Sequence, residues 1–297
     1  FFTLAIIYAG VQNGIERVSK FMMPVLVVLS VIIAGYSISR PGAFEGVKYF
    51  LIPNFDNFSW MTVVSAMGQM FYSLSIAMGI LITFGSYMKK DVSIEGSTEN
   101  VEIFDTAIAI MAGLMIIPAV FSFSGGNMET LKAGPSLMFI TIPKVFASMG
   151  LGTGIGIIFF LLVLFAAITS SIALTESAVS TFQDELHWSR KKSTIILGII
   201  MIGLGTLSCL GYGPLSNVTI IGMQFLDFFD FLTNSVMMPI AAIAICIFVS
   251  RVVGLEKIEE EITQDGNPFK RKKILCPIFA FIILLSSIAN AFGFIAM

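Results

Sequence analysis

Long apolar runs separated by short polar segments dominate this chain. Most runs approach or exceed the roughly 20 residues that an α-helix needs to cross about 30 Å of hydrocarbon. After a short apolar stretch at 1–9, the runs predict seven complete spans at 21–38, 60–87, 104–124, 152–180, 193–211, 222–250 and 274–296. The pattern therefore predicts an all-α, polytopic transmembrane helical bundle that forms a single membrane domain, 1–297.

Composition supports the same class of protein. Hydrophobic residues make up 56% of the 297 positions and charged residues 12%, and the mean hydropathy is +0.92. These values exclude an ordinary soluble domain, and a net charge of −2 gives no indication of a nucleic-acid partner. The expected partners are membrane lipid and a small molecule, and a homo-oligomer stays open.

Lysine and arginine are distributed unevenly between the two sides of the predicted bundle. If the spans alternate strictly, thirteen of the 17 basic residues fall on one side, among them Lys89, Lys90, Arg190 and Lys191. Basic loops stay in the cytoplasm. We therefore expect a multi-pass cell-membrane protein whose loops after 60–87, 152–180 and 222–250 are cytoplasmic, with 125–148 forming an ordered extracellular cap.

The stretch "GQMFYSLSIAMG", residues 68–79, places a glutamine, two serines and glycines in the middle of a predicted span. One continuous helix over 60–87 would measure about 42 Å, so this span either tilts strongly or breaks. A break near Ser73 to Gly79 would leave backbone groups that line a cavity or bind a ligand. A tilted helix packed through small residues is the alternative that spacing alone leaves open.

A second polar cluster lies in "FAAITSSIAL", residues 165–174. On a helix, the carbonyl of Ala166, the hydroxyls of Thr169 and Ser170, and the side chain of Leu174 share one face. Hard oxygen ligands of this kind suit a small alkali cation. The alternative is ordinary hydrogen bonding of the hydroxyls to their own helix.

Acidic residues inside or beside apolar runs are costly and are therefore functional candidates. Asp105 and Glu176 belong to this group, although Asp105 is also placed where it could simply cap a helix N-terminus. Asp184 and Asp230 lie at span ends, where each could form a gating salt bridge or simply meet water. An intramembrane serine protease is not expected, because the single histidine lies in a predicted cytoplasmic loop.

Six segments of the chain, taken together in their order and spacing, resemble the neurotransmitter:sodium symporter family, particularly its bacterial sodium-dependent amino-acid transporters. They are "GIERVSKFMMP", "GQMFYSLSIAMG", "SYMKKD", "KAGPSLMFITIPKVF", "TSSIALTESAVSTFQDEL" and "FLDFFDFLTN". The resemblance implies an inverted-repeat sodium symporter fold with a broken helix at the bilayer midplane. It also makes 1–9 the end of span 4 and the later runs spans 5 to 11, so that the first three spans and part of the fourth are expected to be absent from this sequence.

The resemblance also implies roles for individual residues. The amino-acid pocket would comprise Tyr72, Ser73, Ser75, Met78, Ser170 and Leu174. One sodium ion would bind Ser73 and Asp105, and another would bind Ala166, Thr169 and Ser170. Gln69 and Asp230 match positions beside the extracellular gate, and Tyr87 and Asp184 match the intracellular gate.

Some positions depart from the family pattern. Tyr72 replaces a common Phe, and Ala77 replaces a common Gly in the unwound segment, which should stiffen that hinge. A fixed carboxylate at Asp105 could supply the negative charge that chloride provides elsewhere, so chloride is expected to be dispensable. The predicted function is a symporter, not an enzyme, that imports sodium with an amino acid or related small amine by alternating access. The alternatives are a proton-coupled amino-acid permease of similar architecture and a truncated, non-transporting product.

Overall fold

The structure, a computed structural model, describes residues 2–125, 137–148, 150–263 and 281–282. Among these residues the secondary structure is almost entirely helical, apart from one isolated β-bridge between Ile220 and Met223. The α-helices are α1 Phe2–Ala9, α2 Arg17–Ile38, α3 Ala43–Leu51, α4 Trp60–Ser73, α5 Ile80–Ser86, α6 Ile94–Ser124, α7 Ile142–Ala147, α8 Gly152–Leu186, α9 Arg190–Gly211, α10 Phe225–Asp230, α11 Met238–Phe248 and α12 Leu255–Ile262. The prediction of an all-α fold is thereby confirmed.

Five continuous helical segments of the described residues are long and apolar enough to cross a membrane. They are Val11–Ile38, Ile94–Ser124, Gly152–Leu186, Arg190–Gly211 and Phe225–Val253. Two of them contain π-helical turns that lengthen an α-helix, at Val11–Glu16 before α2 and at Phe231–Met237 and Val249–Val253 on either side of α11. The predicted span 274–296 lies outside the described residues except for two positions.

The observed helices extend beyond the apolar runs from which the spans were predicted. Helix α6 begins at Ile94 rather than at 104, α8 continues to Leu186 rather than 180, and α9 begins at Arg190 rather than 193. Hydrophobicity marks only the part of a helix that lies in hydrocarbon, whereas hydrogen bonds and caps decide where the helix ends. At α9, for example, the Ser189 hydroxyl caps the first turn by accepting from the Lys192 N–H at 3.4 Å.

The chain forms two compact units, and the first comprises Phe1–Asn57 and Ile103–Ile172. Its core is an apolar cluster contributed by α2, α6, α7 and the first half of α8. Ile33, Ala119, Val120 and Phe159 lie at its centre, each with at most 1% of its surface exposed. Helix α3 packs closely on α6 because Gly46 has no side chain: a Cβ there would lie 2.9 Å from the Pro118 Cα.

The second unit comprises Phe58–Glu102 and Ala173–Met297. It contains α4 and α5, the later part of α8, and helices α9 to α12. Its apolar cluster is smaller, with Phe71 of α4 packed against Met238 and Ala242 of α11. Polar contacts between α5 and α8 add to this packing.

Candidate functional site

The span predicted at 60–87 is interrupted. Helix α4 ends at Ser73, α5 begins at Ile80, and the six residues between them form turns. Ser75 and Ala77 have φ angles of +55° and +64°, and Gly79 has +76°. A left-handed conformation ends helical hydrogen bonding, and it is costly for any residue other than glycine. The predicted break is thus confirmed, and the tilted continuous helix is excluded.

Backbone hydrogen bonding shows how the helix unwinds. The Ile76 N–H bonds to the Phe71 carbonyl at 2.9 Å, the wide turn of a helix that is ending. The regular pattern resumes with the Thr83 N–H, which bonds to the Gly79 carbonyl at 2.9 Å. Peptide groups between these points lie outside the helical ladder. Broken helices of this kind bind ions and substrates in secondary transporters.

The two halves of the broken span pack against different helices. Helix α4 and the unwound segment bury apolar side chains against α11: Phe71 is 2% exposed, and Ile76, Ala77 and Met78 pack on the same cluster. Helix α5 instead contacts α8 through polar groups. Helices α4 and α5 are therefore held by different partners, α11 and α8, and the unwound segment is the connection between them.

The contacts of α5 repeat every four residues along one helical face. At Gly79, an added Cβ would lie 2.8 Å from the Ser177 Oγ, and the φ of +76° also favours glycine at this position. Thr83 then donates from its hydroxyl to Ser177 at 3.4 Å, and Tyr87 donates from its phenol to Glu176 Oε1 at 2.9 Å. Helix α5 is consequently fixed to α8 along its whole length.

Glu176 is the centre of a buried ion pair. Its side chain is 0% exposed, and both carboxylate oxygens accept hydrogen bonds from Arg190, at 3.0 Å and 2.5 Å. The bidentate geometry, with the Tyr87 phenol as a third donor, compensates the cost of removing the carboxylate from water. This cluster of Tyr87, Glu176 and Arg190, here called the α5–α8–α9 clamp, joins three helices.

Thr169 and Ala166 lie next to each other on α8, as predicted. The Thr169 hydroxyl donates to the carbonyls of Ala166 at 2.9 Å and Phe165 at 3.1 Å. The structure therefore brings two of the predicted sodium-binding oxygens together in the back-bonded form, the alternative that the sequence left open. Ser170 is exposed, and Leu174 lies one turn further along with 49% of its surface exposed.

Asp105 lies within α6, eleven residues after the helix begins at Ile94, and it is half-buried. The N-cap interpretation is therefore wrong: the helix extends well before the apolar run, into the polar segment "IEGSTENVE".

Of the predicted pocket residues, Tyr72 and Ser73 end α4 and are exposed, whereas Ser75 and Met78 are half-buried in the unwound segment. Ser73 belongs to the second unit and Asp105 to the first.

The remaining predicted gating residues occupy helix surfaces and ends. Gln69 is exposed on α4, and Asp184 is exposed in the last turn of α8. Asp230 ends α10 and accepts a hydrogen bond from the Asn234 amide at 2.6 Å, across the π-helical turn. That hydrogen bond orients the carboxylate, and sequence reasoning did not single out Asn234.

Sequence reasoning also did not pair Arg190 with Glu176. Arg190 was counted only among the basic residues that orient the protein. The available signal was an acid within an apolar helix, which needs a partner, with a basic residue fourteen positions later at the start of the next helix. The clamp depends on the sharp reversal of the chain between α8 and α9, which includes His187 with a φ of +52°.

The described residues combine helices long and apolar enough to cross a membrane with a further apolar span, α4–α5, that is unwound in the middle, which is the architecture found in polytopic secondary transporters. Residues 1–293 match the model of the sodium:neurotransmitter symporter family, and the chain belongs to that family. Membership confirms the resemblance found in the sequence, and the relatives named below are transporters rather than enzymes.

Relatives and a solved structure agree with this assignment. An uncharacterized sodium-dependent transporter of Bacillus subtilis, YhdH, is 35% identical over 268 residues, which are 90% of this chain and 58% of that protein. One from Haemophilus influenzae is 31% identical over 95% of this chain and 62% of its own length. The crystal structure of MhsT in complex with L-phenylalanine is 36% identical, with a TM-score of 0.81 over 96% of this chain and 66% of MhsT. The chain thus spans about three-fifths of the length of these curated relatives.

Proposed function

We propose that the intact protein is a symporter that couples sodium entry to the import of an amino acid or a related small amine by alternating access. The observation that carries the proposal is the unwound segment between α4 and α5, where Ser75 and Ala77 adopt left-handed conformations. A membrane protein retains such a costly interruption where it binds a ligand. Membership in the family, and the phenylalanine bound to MhsT, support an amino acid as that ligand.

The packing of the broken span supports a hinge. Helix α4 is held to α11 by apolar contacts centred on Phe71, whereas α5 is held to α8 by the clamp and by Ser177. A substrate that binds the unwound peptide groups between them, with Tyr72, Ser73, Ser75, Met78 and Leu174 as the pocket, would bias the angle between the two halves. Binding energy would then favour one state of the transporter over the other.

The proposed sodium ligands are oxygens that α8 already presents. The Ala166 carbonyl and the Thr169 hydroxyl lie 2.9 Å apart, and each keeps a lone pair for a cation. Ser170 would add a third oxygen, and Asp105 is proposed to bind a separate sodium ion. The fixed negative charge of Asp105 is the reason to propose that transport does not require chloride.

The clamp is proposed to stabilise the cytoplasmic end of the transporter, with Asp184 nearby on α8. The basic residues at the start of α9 and the lysines that follow Tyr87 support this orientation. On the other side, Asp230 is proposed to contribute to the extracellular gate together with Gln69. Loops after α5, after α8 and after the segment Phe225–Val253 would accordingly be cytoplasmic.

Uptake measurements on the intact protein test the proposal. Liposomes that contain the protein are given labelled amino acids under an inward sodium gradient, and parallel vesicles receive choline in place of sodium. The proposal expects saturable uptake with sodium only. Uptake that persists in choline and follows an imposed proton gradient would instead establish the proton-coupled permease, and no uptake above protein-free vesicles would contradict both.

A further inference from the structure

The first unit contains a small region where two helices terminate together. Helix α2 ends at Ile38 and α6 ends at Ser124. The Ser122 hydroxyl donates to the Pro41 carbonyl at 2.8 Å, which joins the turn after α2 to the last turn of α6. We call residues 36–41 and 122–124 the helix-end region.

Three buried polar atoms of the helix-end region have no hydrogen-bond partner among the described residues: Ser37 Oγ, Arg40 Nε and Ser124 Oγ. Ser37 is entirely buried. Leaving a buried polar group unsatisfied costs about 1–3 kcal/mol. Three such groups in a native fold require an explanation, and an ordered water or a bound ion is one that satisfies all of them.

Helix geometry places these groups at the end of one apolar cluster. Ser37 lies one turn beyond Ile33 on α2, and Ser124 lies one turn beyond Val120 on α6. Ile33 and Val120 are both 0% exposed members of the core of the first unit. Arg40 lies two residues beyond the end of α2, and its backbone N–H bonds to the Ser37 carbonyl at 3.3 Å, which holds the two residues in one turn.

The charge of Arg40 indicates what kind of ligand the helix-end region fits. Its guanidinium lies 4.2 Å from the centre of the Tyr36 ring, and Nη2 donates to Ser39 Oγ at 3.3 Å. None of the ion pairs among the described residues includes Arg40. The Nε–H can only donate, and the two serine hydroxyls can also donate. The region thus offers three donors and a guanidinium that no ion pair of the described residues neutralises.

Ser30 provides an internal comparison. It lies two turns before Ser37 on the same face of α2 and is equally buried, but its hydroxyl donates to the Leu26 carbonyl at 2.8 Å. A buried serine on this helix can therefore satisfy itself by bonding to its own backbone, as serines commonly do. Ser37 does not, which leaves its hydroxyl available to another acceptor.

We propose that the helix-end region binds a small monovalent anion of the chloride class, held by Arg40 Nε and the hydroxyls of Ser37 and Ser124. A small anion accepts hydrogen bonds from all three donors and neutralises the guanidinium. The site is separate from the residues proposed for sodium and substrate, and its role is to stabilise the first unit.

Thermal unfolding of the intact protein in detergent tests the proposal. Sodium chloride is titrated against sodium gluconate at constant ionic strength, with Ser37→Ala and Arg40→Gln as the test variants. Ser30→Ala and Lys48→Gln are the matched controls, since Ser30 is satisfied and Lys48 pairs with Glu45 at 3.0 Å. We expect chloride to raise Tm saturably by a few degrees in the parent and the controls, and this shift to disappear in both test variants.

A second measurement uses bromide, whose anomalous scattering identifies it directly in crystals. A bromide peak within hydrogen-bond distance of Arg40 Nε supports the proposal. In gluconate, Ser37→Ala should be at least as stable as the parent, because the substitution removes an unsatisfied hydroxyl. The proposal is overturned if chloride leaves Tm of the parent unchanged, if Ser37→Ala keeps the full chloride shift, or if crystals show only water at the three atoms.

Discussion

Ala77 stands in the unwound segment with a φ of +64°, and replacing it with glycine gives a direct test of backbone strain. A non-glycine residue in this conformation costs roughly 1–2 kcal/mol, which Ala77→Gly would recover. Two terms oppose the gain: the greater freedom of glycine in the unfolded chain, about 0.4–1 kcal/mol, and the loss of one partly buried methyl group, at most about 0.8 kcal/mol. The net change in the free energy of unfolding is therefore expected to be close to zero.

The matched control is Ala244→Gly. Ala244 is exposed in α11 of the same unit and has ordinary helical geometry. There glycine relieves no strain, so the variant should lose about 1 kcal/mol. Thermal unfolding of the intact protein should therefore place Tm of Ala77→Gly near the parent value and Tm of Ala244→Gly a few degrees lower.

The same pair of variants separates strain from function. A more flexible hinge has more conformations to lose when substrate binds, so Ala77→Gly should weaken sodium-dependent amino-acid binding while Ala244→Gly leaves it unchanged. Equilibrium binding of labelled substrate measures this. If Ala77→Gly loses as much stability as Ala244→Gly, the left-handed conformation is not a source of strain and the reasoning is refuted.

Three further predictions concern other parts of the molecule. Glu176→Ala should lower the free energy of unfolding by about 1–3 kcal/mol because it removes the carboxylate that accepts two hydrogen bonds from the half-buried Arg190 guanidinium; no measurable loss in denaturant unfolding would contradict the clamp. Gly46→Ala should cost about 1–3 kcal/mol by overpacking against the backbone of α6, whereas Gly205→Ala, where nothing lies within 4 Å, should be stabilising by about 1 kcal/mol. Asp105→Asn should make uptake dependent on chloride, measured against gluconate, while the parent protein transports equally in both salts.

The sequence by itself determined the class of fold and the position of the interruption. Membrane spans follow from hydrophobicity because lipid leaves a chain no other way to satisfy its backbone over about 30 Å. The polar stretch around Ser73 and Gly79 predicted the break, although spacing alone also allowed a tilted continuous helix, which the observed end of α4 excludes. The ends of the helices could not be predicted in this way, because a helix can include polar residues outside the apolar run. Helix α6, for example, begins at Ile94, ten residues before the predicted span.

Tertiary structure decided which of the local alternatives is realised. Periodicity placed Thr169 beside Ala166, but only the folded helix shows that its hydroxyl bonds to the backbone. Asp105 could be a cap or an interior residue until the length of α6 was known. Each of these outcomes depends on hydrogen bonds whose competing partners are nearly equal in energy.

The pairing of Glu176 with Arg190 shows most clearly what sequence alone leaves undetermined. The sequence shows Glu176 as an acid that is costly within an apolar helix, and Arg190 as a basic residue at the start of the next helix. Neither sequence distance nor periodicity predicts that two residues on different helices will pair across a turn. The reversal between α8 and α9, and the approach of α5 that Gly79 permits, bring the carboxylate, guanidinium and Tyr87 phenol within 3.0 Å. A buried charge is stable only when all its partners arrive together, and that condition is set by packing in three dimensions.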